Sequence, residues 1–154
     1  MFFKCWIDGC CFPKNPNGWM GMGSLIVDQD GKIEFENSCY KKPDPNNTNN
    51  VAEYGALYYV LKYFIDSKLT DEQIIVYGDS KLVIMQMSGE WKIKDSGGKY
   101  VKGAKICRDM VRKFSNINFI WIPREQNDEC DALSRKALGQ IGIYDSKAMQ
   151  YAKR

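Results

Sequence analysis

The first forty residues alternate apolar runs with polar, turn-rich segments, and this pattern predicts three β-strands. Phe2 to Cys11 is mostly apolar, and the runs Gly21 to Val27 and Lys32 to Tyr40 flank Asp28-Gln29-Asp30-Gly31, a typical hairpin turn. The segment Phe12 to Gly18 carries two prolines and predicts a loop before the second strand. The chain is therefore expected to begin with an antiparallel meander.

The rest of the chain alternates helices with strands. Apolar residues between Asn50 and Ser67 recur every three or four positions, the period of a helix. The short apolar runs Gln73 to Tyr77 and Ile117 to Ile122 predict two more strands. Further helices are expected at 80–87, 101–114 and 126–138, with an extension of the last towards Ile143 left open. The order β-β-β-α-β-α-α-β-α predicts an α/β fold with one five-stranded mixed sheet, in which strands 1–3 form the meander and strands 4 and 5 are parallel.

Composition narrows the class of protein. The chain has 154 residues, 44% hydrophobic and 27% charged, as in an ordinary globular protein. We divide it into one domain, 1–142, and a C-terminal tail, 143–154. No apolar run approaches the ~20 residues of a membrane span, and the first residues resemble a strand and not a signal peptide. We expect no membrane partner.

The cysteines suggest a reducing compartment. Six are present, without a C-x-x-C pair or any histidine, which makes a structural zinc site improbable. Free thiols in the cytoplasm are the simplest interpretation, although a Cys39–Cys107 disulfide stays open. A monomer is the default expectation.

Four carboxylates interrupt stretches that otherwise look buried: Asp8, Glu53, Asp79 and Asp131. Asp8 and Asp79 follow apolar strand residues, while Glu53 and Asp131 lie on predicted helices. Each alone is readily explained as a cap, a turn residue or a solvated side chain. Acidic residues are seldom fully buried unless they are paired or bind a metal. Four of them, in a chain without histidine, predict an all-oxygen site for hard divalent cations.

A basic segment accompanies the acids. Between Trp91 and Phe114 the chain has eight basic residues and only two acidic ones, although its net charge is just +3. A solvated helix face would explain the charges alone. The neighbouring Trp91 and Tyr100 favour a phosphate-rich partner held near bound cations.

Four local motifs resemble those of type 1 ribonuclease H, and they occur in that family's order. They are Ile7-Asp8-Gly9-Cys10-Cys11, Thr48-Asn49-Asn50-Val51-Ala52-Glu53, Tyr77-Gly78-Asp79-Ser80, and Asn127-Asp128-Glu129-Cys130-Asp131-Ala132-Leu133-Ser134. The resemblance implies the ribonuclease H-like fold and hydrolysis of the RNA strand of RNA/DNA hybrids, which gives 5′-phosphate and 3′-hydroxyl ends. It also implies two Mg²⁺ ions, with Mn²⁺ as an alternative: one ion activates a water and the other stabilises the leaving 3′ oxygen.

The same resemblance assigns residues. Asp8, Glu53, Asp79 and Asp131 would be the catalytic, metal-binding acids. Contacts with the hybrid would come from Gly9, Cys11, Asn15, Thr48, Asn49, Asn50 and Ser80. In this set Asn15, Asn49 and Asn50 would contact the minor-groove side, where 2′-hydroxyls mark RNA, and Thr48 and Ser80 a phosphate of the DNA strand. Gly9 would let the backbone approach the RNA. For Asn46 and Asn47 we prefer turn formation.

The chain departs from the family pattern in two ways. Many members carry a histidine before the last acid that assists proton transfer or product release. This chain has none, so Arg124 or Glu125 is a candidate substitute and slower turnover is expected. The stretch from Asp79 to Trp91 is too short for a full basic handle, and Lys92, Lys94, Lys99 and Lys102 would be its remnant. Weaker, salt-sensitive binding follows.

Three other functions were considered. A non-catalytic module that binds hybrids or double-stranded RNA would gain nothing from four acids that repel phosphate. A related nuclease acting on DNA or from strand ends is disfavoured by the asparagines of the second motif. An actin-like or sugar-kinase-like ATPase needs two lobes and a glycine-rich phosphate loop, which the sequence lacks.

Overall fold

The computed structural model describes residues 1–143, and it contains the predicted five-stranded mixed sheet. The strands are β1 (Phe2–Phe12), β2 (Trp19–Val27), β3 (Ile33–Lys41), β4 (Gln73–Gly78) and β5 (Asn116–Trp121), arranged β3-β2-β1-β4-β5. The first three pair antiparallel, and β4 pairs parallel with both β1 and β5. The predicted fold class is therefore confirmed.

Four helices flank the sheet: α1 (Asn49–Asp66), α2 (Lys81–Met87), α3 (Val101–Val111) and α4 (Asp128–Gln140). The predicted bounds differ from these by at most three residues. A 3-10 turn at Arg124–Gln126 precedes α4, which therefore begins later than expected. None of the helices within residues 1–143 has the length and apolarity of a transmembrane span. Most of the expected tail, 144–154, lies outside the described residues.

Side chains of β1 alternate between two cores. Phe3, Cys5 and Ile7 belong to the larger core, which α1 and α3 cover. Trp6 packs from the opposite face on a smaller core that includes Cys130 of α4. Because successive strand residues point to opposite faces, Asp8 is on the side of α4 and Gly9 on the side of α1. The sheet thus carries helices on both faces at the level of Asp8.

All six cysteines are free thiols, so the Cys39–Cys107 disulfide is not formed. Burial raises the pKa of the thiols of Cys5, Cys107 and Cys130 above the ordinary value. Such thiols pack as small apolar side chains and react slowly.

Candidate active site

Three carboxylates from separate elements meet where β4 ends. One oxygen from each of Asp8, Glu53 and Asp79 lies within 4.8 Å of the others. The parallel pairing of β1 and β4 ends at Ile7 and Gly78, so Asp8 and Asp79 are the next residues of neighbouring strands. Strand β1 itself continues to Phe12 against β2, so Asp8 is in the middle of β1 and not near its end. The carboxyl end of β4 is therefore the opening in which the acids converge.

Glycine at position 9 brings the third carboxylate close. A Cβ on Gly9 would lie 2.4 Å from the Ala52 carbonyl carbon and from the Glu53 nitrogen. Helix α1 therefore packs against β1 at a distance that only glycine permits. The close approach seen at Gly9 is to this helix, and contact of Gly9 with RNA stays a prediction.

Helix α4 is held against the sheet in the same way. A Cβ on Gly21 would overlap the Ser134 carbonyl oxygen at 1.7 Å, and one on Gly23 would lie 2.6 Å from the Cys130 oxygen. Since Gly23 pairs with Asp8 across β1 and β2, this contact brings the first two turns of α4 alongside Asp8. Gly21 and Gly23 are two residues apart and so lie on the same face of β2, and this spacing is the sequence signal for the close packing of α4.

Asp131 reaches the same cleft from α4 but is not in the three-carboxylate group. It is 7% exposed, and its Oδ1 accepts a hydrogen bond from Arg135 Nε at 3.2 Å. The Arg135 guanidinium also lies 5.6 Å from the centre of the Phe12 ring. Arg135 thus offsets part of the negative charge at the cleft.

The clustered acids resist ionisation. Burial, and then the negative charge of Asp79, raises the pKa of Asp8 to about 7. Burial, followed by the charges of Asp8 and Asp79, also raises the pKa of Glu53 well above its usual value. Glu53 Oε2 is buried without a hydrogen-bond partner. Closely spaced carboxylate oxygens, one of them lacking a donor, are the ligand set of a hard divalent cation.

Asn127 and Ser134, the first and last residues of the fourth motif, contact the acids, and neither of them is assigned a role from the sequence alone. Asn127, which is 1% exposed, donates from Nδ2 to the Ile7 carbonyl at 2.8 Å and to Asp79 Oδ2 at 3.2 Å. The hydroxyl of Ser134 is 2.8 Å from the Asp131 carbonyl and 3.4 Å from Asp8 Oδ2. Their position in the fourth motif is the sequence signal by which a role for them could have been predicted.

The carboxylates line a cleft of about 400 Å³. Five of the seven residues predicted to contact substrate also line it: Gly9, Cys11, Asn49, Asn50 and Ser80. Arg124 and Arg135 complete its wall, whereas Glu125 lines a different cavity beside Trp6.

Asn15 and Thr48 are not among the described residues that line this cleft. Asn15 Oδ1 accepts from the backbone nitrogen of Asn49 at 3.1 Å, and Thr48 Oγ1 caps α1 by accepting from the Val51 nitrogen at 3.0 Å. Both therefore fix the start of α1, which carries Asn49 and Asn50.

Asn47 has a structural role, as preferred from the sequence. It is buried, and its Nδ2 donates to the carbonyls of Gly18 and Lys42 at 2.9 and 2.8 Å. The exposed Asn46 accepts a hydrogen bond from Lys99 Nζ at 3.1 Å. These bonds join the loops that flank β2 and β3 to the basic segment.

Residues 88–100 form neither helix nor strand in the structure. Within the basic segment, Lys105 pairs with Asp95 and Arg112 with Asp109. Trp91, Lys92 and Lys94 are exposed. The cationic surface is therefore an irregular loop beside α3.

Comparison with known proteins supplies the class. Residues 7–137 match the family model described as Reverse transcriptase-like, which covers most of the chain. The matched residues include all or part of each of the five strands and the four acids of the cleft.

Individual relatives show which family within this class the chain belongs to. The N-terminal RNase H domain of Rv2228c from Mycobacterium tuberculosis is 30% identical, with a TM-score of 0.76 over 89% of this chain and 98% of that one. LC11-RNase H1, isolated from compost and solved with an RNA/DNA hybrid, is 34% identical, with a TM-score of 0.72 over 90% of this chain and 98% of that one. Ribonuclease HI of Halobacterium salinarum is 33% identical over 80% of this chain and 58% of its own length. The chain therefore belongs to the type 1 ribonuclease H family.

The full Mycobacterium tuberculosis protein, described as bifunctional, is considerably longer. It is 34% identical over 126 residues, which are 80% of this chain but 32% of that protein. The chain thus spans about a third of the length of the first curated relatives it matches.

Proposed function

We propose that the chain is an endoribonuclease that hydrolyses the RNA strand of RNA/DNA hybrids. The observation that carries the proposal is the convergence of Asp8, Glu53 and Asp79 within 4.8 Å at the carboxyl end of β4. A relative with 34% identity has been solved with an RNA/DNA hybrid, which supports this substrate.

The catalytic acids in this proposal are Asp8, Glu53, Asp79 and Asp131. Their all-oxygen ligand set fits Mg²⁺, with Mn²⁺ as an alternative. When bound, a pair of such cations activates a water and stabilises the leaving oxygen of an in-line displacement. Asp8 and Glu53, whose pKa values are raised by burial and then by neighbouring carboxylates, would be held ionised by the positive charge at such a site. Asp131 would keep its ion pair with Arg135 until substrate and cations are bound.

The residues along the cleft wall would orient the hybrid. Asn49 and Asn50 are exposed at the start of α1 beside Glu53, where amide groups reach 2′-hydroxyls. Cys11 donates its thiol hydrogen to the Lys14 carbonyl at 3.1 Å, and in this way holds the loop that presents Asn15. Thr48 and Ser80, which cap α1 and α2, would place backbone N–H groups near a DNA phosphate. Gly9 would contact the RNA strand through its backbone.

Arg124 is our choice for the substitute of the absent histidine. It lines the cleft with the carboxylates, whereas Glu125 does not. A guanidinium stays protonated, so it can stabilise a departing phosphate but cannot exchange protons as histidine does. Slower turnover than in histidine-bearing members follows from this difference.

We further propose that residues 1–142 are the catalytic domain, that 143–154 form a tail, and that the protein acts as a monomer in the cytoplasm. Six free thiols support a reducing compartment.

The experiment that tests the proposal compares three end-labelled substrates: an RNA/DNA hybrid, an RNA duplex and a DNA duplex of one sequence. Each is incubated with Mg²⁺ and, as a control, with EDTA. We expect internal cleavage of the RNA in the hybrid, products with 3′-hydroxyl ends that a polymerase extends, and no cleavage in EDTA. The Asp79→Asn variant should be inactive. Binding of the hybrid without Mg²⁺-dependent cleavage would instead indicate a non-catalytic module, and cleavage of the DNA duplex alone a different nuclease.

A further inference from the structure

Asn127 occupies the point at which β1 and β4 part. The two strands stop pairing after Ile7 and Gly78, and beyond that point the backbone of β4 turns away into Asp79 and Ser80. The Ile7 carbonyl therefore lies at the last residue pair of β1 and β4, next to the cleft that holds the acids. Asn127 Nδ2 donates one hydrogen to this carbonyl at 2.8 Å and the other to Asp79 Oδ2 at 3.2 Å. The side chain immediately before α4 thus links the last residue pair of β1 and β4 to a carboxylate.

The orientation of this amide is fixed by its two acceptors. Turning the group over would direct its oxygen at the Ile7 carbonyl and the Asp79 carboxylate, which are both acceptors. The observed orientation leaves Asn127 Oδ1 buried without a hydrogen-bond partner.

The same residue links the fourth acid to the other three. Asn127 immediately precedes α4, and its carbonyl accepts the Asp131 backbone N–H at 3.0 Å. The bonds to Ile7 and Asp79 therefore hold the first turn of α4, and with it Asp131, next to the end of β4. This one side chain therefore contributes both to the orientation of Asp79 and to the placement of Asp131.

We propose that Asn127 is a positioning residue for divalent-cation binding: it orients the Asp79 carboxylate and anchors the start of α4 so that the acids present one ligand set. The inference rests on the proposed function for the identity of the site. It concerns a residue that would not touch the cation. Residues that orient metal ligands typically contribute about 10–100-fold in metal affinity or activity.

The test compares Asn127→Ala with Asn47→Ala. Asn47 is a matched control, because it is also a buried asparagine whose Nδ2 donates to two acceptors, but both are backbone carbonyls of residues that do not line the acidic cleft. For each variant, Mn²⁺ binding is measured alone by electron paramagnetic resonance. The Mg²⁺ midpoint of hybrid cleavage and the urea midpoint are measured in parallel. We expect both variants to lose stability and only Asn127→Ala to bind Mn²⁺ about 10–100-fold more weakly, with a matching rise in the Mg²⁺ midpoint.

A double-mutant cycle separates positioning from general destabilisation. If Asn127 acts through Asp79, its replacement in an Asp79→Asn background should change Mn²⁺ affinity much less than in the wild type. Should Asn127→Ala not fold, Asn127→Ser replaces it, since a hydroxyl has one hydrogen and can serve only one of the two acceptors.

Wild-type Mn²⁺ affinity in a folded Asn127 variant, or an equal loss in Asn47→Ala, would overturn the inference. Failure of the proposed function is recognised separately: the wild-type protein would then bind Mn²⁺ without cleaving the hybrid, and the Asn127 inference would still be decided by the Mn²⁺ affinities.

Discussion

Replacing Asp8 by asparagine should stabilise the cation-free protein, and the gain should depend on pH. The pKa of Asp8 is raised from 3.8 to about 7, first by burial and then by the charge of Asp79. Below pH 3.8 the carboxyl is protonated in both the folded and the unfolded chain, so the raised pKa does not change the free energy of unfolding. Between these two values the unfolded chain releases the proton while the folded protein keeps it, and unfolding becomes progressively more favourable. Above pH 7 the cost is constant.

The pKa of Asp8 in the folded protein is about three higher than the ordinary value of 3.8. Ionisation of Asp8 therefore lowers the free energy of unfolding by about 4 kcal/mol above pH 7, but only by about 1 kcal/mol at pH 4.5. Asparagine removes this cost and has nearly the same shape as aspartate, so it can stay beside the Ser134 hydroxyl, which lies 3.4 Å from Asp8 Oδ2. Because the charge of Asp8 also helps to raise the pKa of Glu53, its loss relieves Glu53 as well. The expected gain in the free energy of unfolding is therefore several-fold larger at pH 8 than at pH 4.5.

Urea unfolding followed by tryptophan fluorescence, in EDTA at pH 4.5 and pH 8, measures this difference. Asp109→Asn is the control, since Asp109 is exposed and forms its ion pair with Arg112, on the surface of α3. It should leave the pH dependence of stability unchanged. Mg²⁺ should stabilise the wild type more than Asp8→Asn. A gain for Asp8→Asn that is no larger at pH 8 than at pH 4.5 would refute the electrostatic reasoning.

Three further predictions concern other parts of the site. Gly9→Ala should lower the free energy of unfolding by about 1–3 kcal/mol and remove most of the activity, because the new Cβ would lie 2.4 Å from the backbone of α1. The control is Gly103→Ala, whose Cβ would have its nearest contact at 3.6 Å, and urea unfolding should show it to be as stable as the wild type or more stable. Equal stability of the two variants would contradict the packing argument. Arg124→Ala should lower kcat for the hybrid about 100-fold, the lower end of the loss on removing a group that stabilises charge in the transition state, and Glu125→Ala should not. Similar kcat values for the two variants would exclude Arg124 as the substitute for histidine. Lys94→Gln should weaken hybrid binding and reduce the slope of log K against log salt by about 0.9, and an unchanged slope would remove Lys94 from the interface.

The order and type of the elements could be predicted from the sequence because each follows a local rule. Hydrophobic period identified α1, and the apolar run Gln73 to Tyr77 predicted a strand, which is β4 and lies between β1 and β5. Its burial nevertheless alternates, since Ile74 and Val76 are buried whereas Ile75 and Tyr77 are only half-buried. Bounds were less accurate, since α3 ends at Val111 and not at Phe114, and Arg124–Gln126 forms a separate 3-10 turn before α4. Short-range patterns determine which conformation a segment takes but not where its last turn ends.

The acids themselves were recognisable because charge within apolar stretches is unusual, whatever the fold. Their grouping required strand order: Asp8 and Asp79 are neighbours only because β1 pairs with β4. The ion pair of Asp131 with Arg135 and the two bonds donated by Asn127 depend on side chains that meet across the sheet. No local pattern encodes such contacts.

By itself, then, the sequence determined the elements, the acidic residues and, through four ordered motifs, the family. Only the tertiary structure decided how close the acids lie, and it did so through glycines. Gly9, Gly21 and Gly23 set the distances of α1 and α4 from the sheet, because a Cβ at any of them would overlap the helix backbone. Helix-to-sheet distance depends on residues far apart in the chain, so it follows from packing and not from local propensity.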